Sequence, residues 1–64
     1  MSNADMMRYL ELLSDEIVSI YNITKEHSDE LVAHSPMKEL LQEDAEYVAH
    51  MPLCDWAEKV YLSR

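Results

Sequence analysis

Met6, Leu10, Leu13, Ile17 and Ile20 recur at alternating spacings of four and three residues, the repeat that places side chains on one face of an α-helix. They lie within a single stretch, residues 5–21, that contains neither Gly nor Pro. Leu12, Val18, Tyr21 and Ile23 flank the stripe, so the apolar arc covers more than half of the helix circumference. A helix so wide in its apolar face needs cover on two sides. This constrains the chain to an all-α architecture with the first helix as its spine.

Length sharpens the constraint. A chain of 64 residues buries only about 60% of the surface that its unfolded form exposes. Chains this small close the deficit with disulfides, a metal or oligomerisation. Cys54 is the one cysteine, so no internal disulfide can form. The expected solution is a homodimeric helical bundle formed through helix 1. Its interface would draw on Met6, Leu10, Leu13, Ile17, Ile20 and Tyr21, with Trp56 contributing from the C-terminal region.

The remaining punctuation divides the chain. Ser2 stands three residues before Asp5, the spacing of a capping box. The alternation continues in phase through Thr24, His27 and Leu31, so helix 1 is predicted over residues 3–28 or longer. The alternative is a stop at Asn22, with Thr24 or Ser28 capping a second segment. Ser35-Pro36 starts helix 2, residues 36–50, with Ser35 as cap and Pro36 in the first turn. This helix follows the first in a helix-turn-helix-like arrangement. Met37, Leu40, Leu41, Ala45, Val48 and Met51 form its apolar face. Pro52 then ends it and opens a short helix 3, residues 53–62, with Leu53, Trp56, Ala57 and Val60 inward. Trp56 is expected to fill the core, its indole N–H reaching a polar rim. The five methionines supply adaptable packing that suits a core or a binding surface, and the core is the expected place.

Charge excludes several classes of function. Thirteen acidic residues against five basic ones give a formal charge of −8. Such a field repels nucleic-acid phosphates and anionic membranes and favours basic protein surfaces. A helix-turn-helix DNA reader needs a basic recognition helix, and Lys38 stands alone among acids in helix 2. No apolar run is long enough to span a bilayer. No basic stretch followed by an apolar core opens the chain, so a cytoplasmic location is expected.

Candidate chemistry is sparse. His50 and Cys54 are four residues apart, and His27 and His34 are seven apart. Zinc needs four converging ligands, usually in close pairs, and Pro52 interrupts the nearest pair. The plain reading is two surface histidines, one seam histidine at His27 and a buried thiol. Cys54 sits in the first turn of helix 3, a setting in which reactive thiols occur, but a glycine-free chain of this size has little material for an oxyanion hole. We therefore expect no catalytic, cofactor-binding or metal-binding residue. The carboxylates Glu11, Asp15, Glu16, Asp29, Glu30, Glu39, Glu43, Asp44 and Glu46 are either a solvated surface or stripes that imitate a phosphate backbone.

The segments LELLSDEIVSIY (residues 10–21) and SPMKELLQEDAEYVAHMP (residues 35–52), together with size and acidity, resemble the small acidic helical delayed-early proteins of lambdoid bacteriophages. The resemblance implies a non-enzymatic accessory protein that acts in the bacterial host cytoplasm by binding host or phage proteins. The acidic charge allows a basic or regulatory host protein as the partner, and an acidic nucleic-acid mimic is the alternative. A small metal-dependent or enzymatic fold built on His50 and Cys54 is the third reading.

Overall fold

A computed structural model describes residues 2–63. The described residues are all-helical and form five helices: α1 (Asn3–Tyr21), α2 (Lys25–His34), α3 (Met37–Glu43), α4 (Ala45–His50) and α5 (Leu53–Leu62). Met1 and Arg64 lie outside the described residues, so the core role expected of the methionines is read at the other four positions. Met6 and Met37 are buried, Met51 is half-buried and Met7 is exposed.

Helix α1 starts where Ser2 Oγ accepts a hydrogen bond from the Asp5 backbone N–H at 3.2 Å, satisfying one of the orphan donors of the first turn. It ends seven residues short of the predicted boundary at Ser28. Asn22 takes the left-handed conformation (φ 55°, ψ 44°) and donates its backbone N–H to Val18 O. In a chain without Gly, Asn is the residue that tolerates this geometry most readily. Thr24 then caps α2, its Oγ1 accepting from the His27 N–H at 3.1 Å. Two capping signals, one on each side of Ile23, outweigh the continuing apolar period. The periodic residues Thr24, His27 and Leu31 therefore belong to a second helix that turns back on the first.

The predicted helix over residues 36–50 is also two elements. Asp44 leaves helical geometry (φ −152°, ψ 75°) and serves both neighbours. Its N–H donates to Leu40 O at 2.8 Å, and its Oδ1 accepts from the Tyr47 N–H at 3.1 Å. Asp is a weak helix former and a strong N-cap, so one residue ends α3 and begins α4. Pro36 contributes its carbonyl to Leu40 N–H at 2.9 Å, starting the hydrogen-bond ladder of α3. The last helix occupies the predicted residues 53–62.

Helix α1 packs against α2, α3 and α5. Leu13, Ile17, Val48 and Ala57 are fully buried, joined by Met6, Val32, Met37, Leu41, Trp56 and Val60. Trp56 lies between the helices, as its size suggested, but its indole N–H finds the Val48 carbonyl at 2.9 Å rather than a polar rim. Tyr47 meets the same indole edge-on, with ring centroids 5.9 Å apart. Tyr21 and Tyr61 stack at 3.8 Å where α1 and α5 end. The radius of gyration is 10.8 Å, close to the roughly 10.7 Å of a compact chain of this length. The chain itself thus covers the middle of the α1 arc, while Leu12 and Ile20 stay 50% and 47% exposed.

Candidate functional site

Helices α1 and α2 form an antiparallel hairpin around Asn22, and their contact is made by small polar residues. Ser14 and Ser28 are 1% and 0% exposed. Ser28 Oγ donates to the Ser14 carbonyl at 2.7 Å, and the two hydroxyl oxygens are 3.0 Å apart. Ser14 Oγ also lies 2.5 Å from Asp29 Oδ1, a charge-assisted contact stronger than a neutral one. Small side chains at this crossing let the two backbones approach closely, and each buried hydroxyl has a partner.

One turn further along, Lys25 Nζ stands among three carboxylates: Asp15 at 2.9 Å, Glu11 at 3.1 Å and Asp29 at 3.4 Å. Partial burial pulls the ammonium pKa down, but hydrogen bonds to Asp15 and Glu11, with the charges of Asp29 and Asp15, outweigh it and raise it overall. Asp29 moves the other way. The Ser14 hydroxyl holds its carboxylate below the ordinary value, assisted by Lys25 and opposed by desolvation. Three acids sharing one cation leave this end of the hairpin negative.

Beside this cluster runs an open groove of about 420 Å³. Met7, Leu10 and Glu11 line it from α1, Asp29, Val32 and Ala33 from α2, and Lys38 from α3. Its floor is apolar and its rim is charged. A second hollow of about 240 Å³ lies between α3 and α5, lined by Pro36, Met37, Leu40, Trp56, Lys59 and Val60 among others. On the far side of the stripe, Tyr9 has its hydroxyl buried with no hydrogen-bond partner among the described residues. Burial pushes that phenol upward in pKa.

The residues expected at an interface divide by burial. Met6, Leu13, Ile17 and Trp56 belong to the core of the chain itself, each at most 5% exposed. Leu10 and Tyr21 are half-buried, and Ile20 is 47% exposed. Cys54, expected as a buried thiol, is exposed in the first turn of α5, its Sγ 3.9 Å from Asp55 Oδ1. Leu53 and Trp56 take the inward positions of that turn, which leaves Cys54 outward. His27, expected on a seam, is exposed like His34 and His50, because α2 starts a new register at Thr24. Among the described residues, no three His, Cys, Asp or Glu side chains gather in a way that could hold a metal ion. No described helix is long and apolar enough to cross a membrane.

Sequence reasoning offered Ser28 only as a candidate helix cap and passed over Ser14, Lys25 and the groove. The signal was present at Asn22. A turn there folds α2 back along α1, which sets Ser14 against Ser28. Comparison with protein-family models, with curated proteins and with solved structures returned no match to this chain.

Proposed function

We propose that the chain is a small non-enzymatic accessory protein that acts by binding another protein. One observation carries this reading: the α1–α2 groove, apolar in its floor, charged at its rim and bordered by Met7, which is 68% exposed. Unbranched Met side chains at a surface adapt to varied partners. The reading agrees with what the resemblance to lambdoid delayed-early proteins implies, a regulator of host or phage proteins in the bacterial cytoplasm. A homodimer would draw on Met7, Leu12, Ile20 and Leu62, the exposed large apolar residues of α1 and α5, since the middle of the α1 stripe is enclosed.

The experiment is affinity capture from a bacterial lysate with the immobilised chain, followed by quantitative mass spectrometry. A saturable, stoichiometric protein partner supports the reading. Its absence across several salt concentrations overturns it. An acidic mimic of nucleic acid is the second reading, favoured by the exposure of every carboxylate except Glu16, which is half-buried. Against it, Lys25 sits among Glu11, Asp15 and Asp29 and breaks the uniform negative field that imitation of a phosphate backbone requires. A captured partner that is displaced by duplex DNA would favour the mimic.

A further inference from the structure

We infer that the α1–α2 groove receives a cationic amphipathic helix of a partner protein, with two apolar side chains one turn apart in the groove and a Lys or Arg at Glu11 and Asp29. The inference deepens the accessory-protein reading and rests on it.

The dimensions define the anchor. Met7 to Glu11 and Asp29 to Ala33 are each one helical turn, about 6 Å along the axis. That length admits an i,i+4 or i,i+3 pair of side chains, the spacing by which an amphipathic helix enters a groove. Other modes of peptide recognition lack their requirements here. Strand addition needs an open sheet edge, and the described residues contain no strand. Polyproline recognition needs an aromatic-lined groove, and no lining residue is aromatic. Capture of an acidic or phosphorylated motif needs an arginine cluster, and Lys38 is the one cation lining the groove.

Charge selects the sign of the occupant. Glu11 and Asp29 stand at one end of the groove, and both belong to the set of three carboxylates that share Lys25. A guanidinium or ammonium on the incoming helix would meet three carboxylates balanced by one ammonium there, in a chain whose formal charge is −8. The same charge disfavours a second copy of this chain as the occupant, because two such copies repel each other. Lys38, from α3, is placed to meet an acidic side chain of the occupant.

The test uses a fluorescein-labelled synthetic helix of about four turns, carrying Leu at i and i+4 with flanking Arg, and a matched peptide with Glu in place of Arg. Fluorescence anisotropy is read against the full chain and against a Met7→Gln/Ala33→Gln double variant. Both substituted positions are exposed and on helices, and both replacements are uncharged, so helicity by circular dichroism should be unchanged. The Arg peptide is expected to bind the unaltered chain, and the double variant to weaken that binding about tenfold, near 1.4 kcal/mol. The Glu peptide should bind at least about tenfold more weakly than the Arg peptide. Equal binding of the Arg peptide to chain and variant would show unspecific charge attraction and overturn the inference. So would failure of the Arg peptide to bind, or equal binding of the Glu peptide. A concentration-dependent dimer abolished by Ala33→Gln alone would place a second copy in the groove and overturn it too. If the lysate yields a partner while the peptide ignores the groove, the accessory reading stands and this inference fails.

Discussion

Asn22 shows how one backbone dihedral redirects a chain. Its positive φ ends α1, and replacement by Ala should destabilise the fold by about 1 kcal/mol, the penalty of a Cβ without local hydrogen-bonding help in that region. Asn22→Gly should be neutral or slightly stabilising, because the freedom that Gly adds to the unfolded chain offsets its ease in the left-handed state. Urea melts of the three proteins give the comparison, and equal midpoints for Ala and Gly would refute the account. Asp29 offers a second test at this scale. Folding lowers its pKa, so its stabilising contribution is complete above the ordinary carboxylate value of about 3.9. It is lost as pH falls through the lower value of the folded chain. Asp29→Asn should therefore lose less stability than the parent on acidification, measured as denaturation midpoints from neutral pH downward. Lys25 works in the opposite sense. Its contribution holds below the ordinary lysine value and fades only as pH rises through the raised one. Its side chain is 39% exposed, so solvent and salt keep that contribution small.

Among the elements, the legible ones carried their own boundary chemistry. Pro52 delimits α5 from the sequence alone, and Ser2 caps α1 as its spacing suggests. The elements that were merged were those whose breaks lie inside an unbroken apolar period. Leu40, Leu41, Ala45 and Val48 keep helical spacing across Asp44, and the periodicity is indifferent to a break there. What decides the break is a capping hydrogen bond and the burial of Val48 against Trp56, a contact made eight residues further along the chain. Asp44→Ala should thus remove the α4 cap at a cost of about 1 kcal/mol. Amide exchange checks this at Tyr47, whose N–H should lose protection while Leu13 and Ile17 amides keep theirs. Unchanged exchange at Tyr47 would argue against the cap.

For the whole molecule, the lesson concerns what covers an apolar arc. The stripe from Met6 to Ile17 was readable as a core face, but periodicity does not reveal whether the cover comes from the same chain or from another. The hairpin at Asn22 and the chain reversal beyond Asp44 bring α2 and α5 onto α1 and cover the middle of its stripe. Helix propensity and apolar spacing say nothing about either bend. The exposed His27 follows from the first of these bends, which starts α2 in a new register. Ile17→Asp places an unpaired carboxylate at a fully buried position. Leaving such a charge unpaired costs ~3–5 kcal/mol, comparable with the total stability of a chain this size, roughly 3–10 kcal/mol. We expect loss of the fold, seen as loss of helical circular dichroism and a red shift of Trp56 emission. A folded variant would remove Ile17 from the centre of the core.

The Ser14–Ser28 crossing has a kinetic consequence. It joins residues only fourteen positions apart, so the α1–α2 hairpin closes a short loop and needs no distant segment to form. Chains dominated by such local contacts reach their native state in microseconds to milliseconds. Temperature-jump relaxation followed through Trp56 should fall in that window. Ser28→Leu, which forces the hairpin apart, should slow refolding more than it speeds unfolding if the crossing belongs to the folding nucleus. The two serines would then act as the clasp that sets the pace for the rest of the chain.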